Sequence, residues 1–363
     1  MPQNEEFWNP YRMIPVKDVT DRRPPLTDEK FKGRSGMISC SLSNLTPLFI
    51  GGSRFFRENF LTRNGKLVIP GSSLKGMLRS LAEIVGGGCA VTDSRGMYNK
   101  TYKACDRAHQ LCIACRMFGM MERGRNARVH RGNISIGDAL LRGDDKPEMK
   151  TFQVLLANCG TRHEPFYRTP GTGRLDGKSR KFYFHQPLRT DSVPVVPDNL
   201  RSRAWNIRAL PPGHCFEFEV QFSNLRQAEL GLLLYVLALE GNVQARIGDS
   251  QQTLKGPLRH KIGNAKPLGL GSCHIAIERI AYFADPGVRF TSLRNTGDDV
   301  YEGKRLEGEI RGQTQSHAQD RSETMTQLRK MMVWDESDKR NFRYPDYPWF
   351  KSPANSQKPL KQI

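Results

Sequence analysis

The sequence predicts an α+β protein with a ferredoxin-like (RRM-like) β-α-β-β-α-β core that carries large insertions, one of them a lobe held by zinc. Two patterns indicate this fold class. Phenylalanine and valine alternate with polar residues over 216–222, as in a half-buried strand. Apolar residues recur at helical spacing from Leu74 to Val85. With the other predicted elements, the order is strand, helix, strands, strand, helix, strand, which is close to that core.

Each further element is predicted from a local pattern of the same kind. The expected strands lie at 37–45, 131–141, 151–158, 216–222 and 272–280. Three helices are expected: one that begins at Leu74, one over 225–240 and one near 324–334. Three glycines at 86–88 end the first helix, and Ser72 or Ser73 is expected to cap its first turn.

These elements divide the chain into three parts. Residues 1–36 form an irregular arm with several prolines, residues 37–284 form the α+β domain, and residues 285–363 form a polar C-terminal extension. Within the domain, residues 86–132 are expected to be a zinc-binding insertion. Residues 160–203 are expected to be a long loop, because they are rich in Pro, Gly, Arg and aromatic residues.

Charge indicates the class of partner. The 363 residues include 56 Lys and Arg against 37 Asp and Glu, which gives a net charge of +19. An excess of this size, spread along the chain, favours a polyanion such as nucleic acid. The sequence has no apolar run long enough to span a bilayer and no signal-peptide architecture at its N-terminus. We therefore expect a cytoplasmic protein with no membrane partner.

The pattern Cys105-x3-His109-x2-Cys112-x2-Cys115 is the best metal candidate. Four soft or borderline ligands within eleven residues suit tetrahedral zinc, and a site with no open position would be structural. Cys89 or His130 could replace His109 as the fourth ligand. The alternative is a redox dithiol or simply buried thiols. In a chain with eight cysteines and no secretion signal, clustering favours metal over disulfides.

Several segments could contact an RNA backbone or its bases. Lys75 and Arg79 lie one turn apart behind a helix N-terminus that favours an anion. The segments 160–168 and 177–185 interleave cations with aromatic rings, as single-strand binders do. Glycines in the loop 266–272 allow a phosphate to approach the backbone closely.

The candidate RNA-binding residues are Arg54, Arg57, Ser72, Ser73, Lys75, Arg79, Arg125, Arg128, Phe166, Tyr167, Arg168, Arg180, Lys181, Lys266, Gly269 and Gly271. Each group also has a structural interpretation. The helix could be an ordinary capped helix with a solvated charged face. The aromatic residues could belong to the core, with cations merely flanking it, and the glycine-rich loop could be a tight turn before a strand.

Three motifs occur together in a specific order. The block Ile69–Ser80 contains Pro-Gly-Ser-Ser-Leu-Lys-Gly, the segment Cys115–Met120 precedes a strand-like run that ends at Asp138, and Lys266–Ser272 leads into the strand Cys273–Ile280. In this order the segments resemble the RAMP superfamily, the RNA-binding proteins of CRISPR effector complexes. The resemblance covers roughly residues 37–280. The chain most resembles the backbone subunits of type III complexes. Its long insertion and polar C-terminal region depart from a minimal family member and suggest a specialised subunit of a type III-D-like complex.

The resemblance implies a function and partners. It implies a guide-RNA-binding backbone subunit of a type III ribonucleoprotein in antiviral defence. Its partners would be the CRISPR guide RNA, the complementary target RNA and other subunits of the effector complex. It also implies that a loop in residues 160–203 acts as a thumb that wedges between bases of the guide–target duplex. Similar zinc-binding insertions occur in the family.

The resemblance leaves catalysis open. Type III backbone subunits commonly cut target RNA with an acidic residue, usually Asp, in the loop between the first strand and the first helix, together with a divalent metal. Here the loop 52–66 has no Asp, and Glu58 is its only carboxylate. Glutamate can hold Mg²⁺ through oxygen, but its longer side chain moves the metal; a surface salt bridge is the alternative. A metal-dependent endoribonuclease that uses Glu58 on target or guide RNA, and a zinc-containing general RNA-binding protein outside CRISPR, are therefore the alternative functions.

Overall fold

A computed structural model of the full chain describes residues 7–27, 30–51, 58–89, 102–122, 127–143, 146–156, 163–167, 179–187, 193–249, 251–284, 298–361 and 363. Four of the candidate RNA-binding residues lie outside this described part of the chain, namely Arg54, Arg57, Arg125 and Arg168.

The described part contains strands and helices in mixed order. The strands are β1 (Tyr11–Pro15), β2 (Arg34–Asn44), β3 (Thr62–Arg63), β4 (Lys66–Ile69), β5 (Met120–Met121), β6 (Val129–His130), β7 (Ile134–Ile136), β8 (Ala139–Leu141), β9 (Lys150–Val154), β10 (Ser179–Tyr183), β11 (Trp205–Ala209), β12 (Cys215–Leu225), β13 (Val243–Arg246), β14 (Thr253–Gly256), β15 (His260–Lys261), β16 (Ser272–Tyr282) and β17 (Asp299–Tyr301). The α-helices are α1 (Gly71–Val85), α2 (Ile113–Phe118), α3 (Gln227–Ala238), α4 (Gly303–Ala318), α5 (Glu323–Met332) and α6 (Tyr347–Lys351).

Nine of the described strands form one antiparallel sheet. Its order is β15-β16-β2-β12-β8-β4-β3, with β17 beside β16 and β7 beside β12. The central strand β2 alternates buried Ile38, Cys40 and Leu42 with half-buried serines, so one face of the sheet is apolar. Strand β12 repeats this alternation with buried phenylalanines and exposed glutamates. The apolar face is covered by α1 and α3, which pack against each other and against the strands.

The N-terminus of helix α1 differs from the predicted capping. The helix begins at Gly71 with Pro70 as its N-cap residue, and neither Ser72 nor Ser73 makes a side-chain cap, because both already lie within the first turn. Instead, a carboxylate oxygen of Asp138 accepts a hydrogen bond from the Gly71 amide at 2.8 Å. A Cβ atom at position 71 would collide with the Ile136 carbonyl oxygen, so glycine is required for this close approach. The positive end of the helix therefore already faces an internal carboxylate.

The N-terminal arm and the C-terminal extension are built into the fold. The predicted irregular arm contains strand β1, which pairs with β10 in a separate two-stranded sheet. Helix α4 packs on α3 and β16, and α5 packs on β1 and β13. Helix α5 corresponds to the helix expected near 324–334. Helix α4 was not predicted, because Leu306 is its only fully buried side chain and no apolar stripe marks it.

Candidate metal centre and nucleic-acid interface

Four cysteines form a candidate metal centre in the described part of the chain. The Sγ atoms of Cys89, Cys105, Cys112 and Cys115 all lie within 4.8 Å of one another, and all four residues are buried. The Sγ atoms of Cys89 and Cys115 are 3.5 Å apart. Four thiol groups at this separation are the donor set of a closed tetrahedral site, so the residues fit a metal such as zinc.

The fourth member of this cysteine group is not the residue that sequence spacing favours. His109 is exposed and lies outside the group, and Cys89, which follows helix α1, takes its place. His130, the other alternative, has its Nε2 atom 2.8 Å from the Arg116 carbonyl oxygen. Sequence spacing favoured His109 because it lies between the other ligands. The fold instead brings in Cys89 after the glycine turn that ends α1.

Hydrogen bonds to sulfur make this group suited to a metal. The Arg22 guanidinium donates to Cys105 Sγ at 2.9 Å, and Arg79 donates to Cys115 Sγ at 3.3 Å. Hydrogen bonds with the neighbouring thiols lower the pKa of Cys112 well below its ordinary value, and they raise the pKa values of Cys89 and Cys115. Two cations beside four sulfurs also offset the negative charge that a centre of four thiolates retains when a divalent ion is bound.

Glu83 links this centre to strand β10. The side chain of Glu83, on helix α1, is buried between two arginines. Arg79 donates to one carboxylate oxygen at 3.0 Å and Arg180 to the other at 2.9 Å. Arg180 also donates to the carbonyl oxygen of Cys89 at 2.8 Å. Arg79 and Arg180, both predicted to contact RNA, thus direct their guanidinium groups into the metal centre.

The other candidate RNA-binding residues on helix α1 differ in how far they are exposed to solvent. Lys75 donates to the Ile134 carbonyl oxygen at 3.0 Å, and burial followed by the charges of Arg79 and Arg131 lowers its pKa. Ser72 is exposed and Ser73 is half-buried. Of these residues, the exposed Ser72 presents its side chain most fully to solvent.

The predicted aromatic contacts lie in two groups of rings. Phe166 is 6% exposed, and its ring centroid lies 5.8 Å from that of Trp349 and 6.1 Å from that of Phe350. Tyr167 stacks on Tyr11 with centroids 6.1 Å apart. These contacts favour the structural interpretation for Phe166, because its ring is covered by the C-terminal extension.

Lys181 belongs to the second group of rings. Its Nζ atom lies 3.7 Å from the ring centroid of Tyr11, and the rings of Tyr167 and Tyr183 are 5.9 and 5.7 Å away. The ammonium group is therefore held by cation–π contacts while its residue stays half-buried.

The glycine-rich loop lies among cations that the sequence analysis did not single out. Strand β15 places Lys261 beside the loop, where its Nζ atom is 3.5 Å from the Gly269 carbonyl oxygen and 3.3 Å from Ser272 Oγ. Lys266 begins the loop as part of a short 3₁₀ turn. Gly271 has φ +80°, and a Cβ atom there would collide with the Ile262 carbonyl oxygen. Gly271 is therefore required by the turn itself, which is compatible with both the structural interpretation and contact with a phosphate.

The charge at this loop is unbalanced. Burial, and then the charge of Lys266, lowers the pKa of Lys261 to about 7. Burial also lowers the pKa values of Lys266 and Arg259. Within the described ranges, none of the three forms an ion pair with a carboxylate, and Arg259 Nε is buried without a hydrogen-bond partner. Three cations with depressed pKa values and no paired carboxylate form a group that favours a polyanion. Lys261 and Arg259 precede the glycine-rich loop in the sequence, and their basic side chains were the only signal for them.

The remaining candidates are at the surface. Glu58 is exposed, and its backbone carbonyl accepts a hydrogen bond from the Arg208 amide at 2.7 Å. Arg128 is exposed and forms an ion pair with Glu122 at 3.0 Å. Neither residue belongs to the cysteine cluster of the described structure.

Comparison with protein-family models identifies the family of the chain. A family model described as the RAMP superfamily matches residues 41–274, which is well over half of the chain. The match begins within strand β2 and ends within β16, so it spans the central strands of the sheet, both covering helices and the cysteine cluster. A search of curated proteins finds no match. Among the described residues, no helix is both long and apolar enough to cross a membrane. The chain belongs to the RAMP superfamily.

Proposed function

We propose that this protein is a guide-RNA-binding backbone subunit of a type III CRISPR effector complex, of a type III-D-like kind, which acts on RNA in antiviral defence. RAMP membership suggests a CRISPR-associated RNA-binding role. The subtype, the backbone role, the cytoplasmic location and the partners (guide RNA, complementary target RNA and neighbouring subunits) are our proposal. The observation that carries the proposal is the unbalanced cationic group formed by Arg259, Lys261 and Lys266 at the glycine-rich loop.

The fold supports the same proposal. Strands β16, β2, β12 and β8 are neighbours in that order, and helices α1 and α3 cover one face. This strand order, with a helix between the first and second core strands and another between the third and fourth, supports a ferredoxin-like unit with insertions. We therefore propose a ferredoxin-like core over 37–284, with the cysteine lobe in 86–132 and a thumb within 160–203. The open face carries Ser41, Glu217 and Glu219, so the RNA backbone is expected at the basic loop and away from that face.

The metal centre supports this function by holding its lobe together. We propose that Cys89, Cys105, Cys112 and Cys115 bind one zinc ion as thiolates. Zinc would supply a structural crosslink, because a site with four sulfur ligands keeps no position for substrate. Arg22 and Arg79 would hold the sulfur atoms in place. RNA cleavage is not part of the proposal, since Glu58 is the only carboxylate in the loop 52–66.

Salt-dependent RNA binding tests the proposal. Fluorescence anisotropy with a labelled single-stranded guide RNA would compare the wild type with the double variant Lys261→Met/Lys266→Met, in which methionine keeps most of the side-chain stem. We expect weaker binding and a salt slope reduced by about 1.4, since each phosphate contact to a single strand contributes roughly 0.7. Lys304→Met, on the exposed side of α4, is the matched control and should leave affinity and slope unchanged.

The identity of bound RNA tests the CRISPR role separately. RNA that co-purifies from the native host should be a discrete species with one repeat-derived tag joined to variable spacer sequence. Random cellular fragments would contradict the guide-binding role and leave a general RNA-binding protein. Equal salt slopes for the double variant and the wild type would instead contradict the proposal that the glycine-rich loop contacts the RNA backbone.

A further inference from the structure

The N-terminal segment and the C-terminal extension meet at a closed cluster of rings. The Trp8 amide donates to the Asn341 carbonyl oxygen at 2.8 Å, and the Arg343 amide donates to the Trp8 carbonyl oxygen at 2.9 Å. The rings of Trp8, Phe184 and Phe342 are all buried, and their centroids lie 6.4 Å (Trp8–Phe184) and 5.1 Å (Phe184–Phe342) apart. We call these three side chains the ring cluster.

Two arginines are buried against the ring cluster. The Cζ atom of Arg12 lies 5.5 Å from the Trp8 ring centroid and 5.8 Å from that of Phe184. For Arg340 the corresponding distances are 5.2 and 4.7 Å. Arg12 is 5% exposed, and so is the side chain of Arg340. Burial, and then the charge of Arg340, lowers the pKa of Arg12 to about 9. The fold thus holds two like charges close together and away from water.

Hydrogen bonding around these two guanidinium groups is incomplete. Arg12 donates through Nη1 to the Tyr11 carbonyl oxygen at 3.0 Å, but its Nε and Nη2 atoms are buried without a partner. Arg340 uses Nε and Nη2 on Asp338, and its Nη1 atom is buried without a partner. Three buried N–H-bearing atoms therefore have no acceptor in the described part of the chain.

The acidic groups nearby do not remove this deficit. Asp338 is engaged by Arg340 through both carboxylate oxygens. Asp249 favours the charged form of Arg12 electrostatically, but no carboxylate within the described ranges forms an ion pair with Arg12. Lys361 adds a further cation, with its Nζ atom 5.3 Å from the Trp8 ring centroid. Buried charges are normally paired, so the missing component is an anion.

We propose that Arg12 and Arg340 form an enclosed binding site for one phosphate group. Guanidinium groups present paired N–H donors that match phosphate oxygens, and charge-assisted hydrogen bonds of this kind are the strong ones. The three free donor atoms on the two arginines would supply contacts for more than one phosphate oxygen. The C-terminal extension carries Arg340 and Lys361, so it closes over the ligand. The site is distinct from the glycine-rich loop, and the proposal does not depend on the function proposed above.

Equilibrium dialysis of RNA-free, full-length protein against labelled inorganic phosphate tests this site. We expect saturable binding of about one phosphate per chain. Arg12→Met and Arg340→Met should each weaken that binding at least about tenfold, because each removes charge-assisted hydrogen bonds to the ligand. Arg201→Met is the matched control, since Arg201 is exposed and paired with Asp198; its phosphate affinity should equal that of the wild type.

Further variants and a competitor decide the remaining outcomes. Arg12→Lys keeps the buried charge but lacks the paired donors, so it should stay folded and still bind phosphate more weakly than the wild type. The proposal would be overturned if the wild type showed no saturable phosphate binding. It would also be overturned if the folded Arg12→Lys and Arg340→Met variants bound phosphate as tightly as the wild type. Either result would leave buried water as the partner of these donors. A short RNA that competes with phosphate would assign the site to an RNA phosphate. Simultaneous binding of both would assign it to free phosphate.

Discussion

One guanidinium nitrogen of Arg180 joins Glu83 to Cys89. It donates to the carboxylate of Glu83 at 2.9 Å and to the backbone carbonyl of Cys89 at 2.8 Å. Arg180 lies in β10, Glu83 lies in α1, and Cys89 is a member of the cysteine cluster. The cysteine cluster is therefore linked by hydrogen bonds to the two-stranded sheet that contains β1 and β10. Loss of the cysteine cluster should therefore affect residues 160–203, the segment within which we propose a thumb.

Metal content should depend on Cys89 and not on His109. We expect the wild type to hold about one zinc ion per chain, because a structural site of four cysteines binds one ion. Cys89→Ser should lose most of this metal, whereas His109→Ala should retain it, since His109 is exposed and outside the cluster. Inductively coupled plasma mass spectrometry on dialysed protein measures both. Metal loss in the His109 variant with retention in the Cys89 variant would contradict the ligand assignment.

Removing the charge of Glu83 should destabilise the protein. Glu83→Gln leaves Arg79 and Arg180 buried without their shared carboxylate, and breaking a buried pair of this kind costs about 3–5 kcal/mol. Urea unfolding with zinc held in excess would measure the change in the free energy of unfolding. Glu336→Gln, at an exposed position, is the control and should stay within about 0.5 kcal/mol of the wild type. A change that small for Glu83→Gln would show that the carboxylate does not hold these arginines.

The affinity for RNA should fall as pH rises above about 7. Lys261 has a pKa of about 7 in the free protein, lowered by burial and by Lys266. A bound phosphate favours the protonated amine, so binding raises this pKa and takes up a proton. The stabilisation from binding is then complete below the free-state pKa and is lost through the range above it, by at most about tenfold per pH unit.

Anisotropy measurements at constant ionic strength between pH 6.5 and 9 would test this dependence. Lys261→Met should bind more weakly at low pH and show a flatter profile. His185 does not contribute in this range, because burial lowers its pKa well below the ordinary value. Cys273 stays neutral, because burial raises its pKa to about 12. Profiles of equal steepness in the variant and the wild type would assign the proton uptake to another group.

The sequence allows the central strands and their covering helices to be predicted, but not the partners of the buried charges. Strands β2 and β12 alternate strictly enough to be recognised, and α1 has a clear helical period. Cys89 was only an alternative ligand, because its distance along the chain hides its proximity to Cys112. Arg79 and Arg180 look like surface cations in the sequence, since nothing local shows that Glu83 lies between them.

Elements and contacts that leave no apolar stripe or motif in the sequence could not be predicted from it. Helix α4 buries a single side chain fully, so neither apolar period nor composition marks it. The short strand β1 is recognised only through its pairing with β10, which is distant along the chain. Arg12 and Arg340 lie at opposite ends of the sequence, and only tertiary packing brings them to the same two rings.

Phe166 should hold the C-terminal aromatic segment against the protein. Its ring packs on Trp349 and Phe350, and His163 adds a contact from its Nε2 atom to the Lys358 carbonyl oxygen at 3.0 Å. Replacing Phe166 with alanine removes a buried ring, a change that typically costs about 3–5 kcal/mol. Because the contacts are local, the loss should appear as opening of residues 346–358, and tryptic cleavage after Lys351 should accelerate at least about tenfold. Val195→Ala, at a position 88% exposed, is the control and should leave the cleavage rate unchanged. Equal rates in the two variants would mean that the segment is held by other contacts, and that Phe166 is free to act on a ligand as the sequence first indicated.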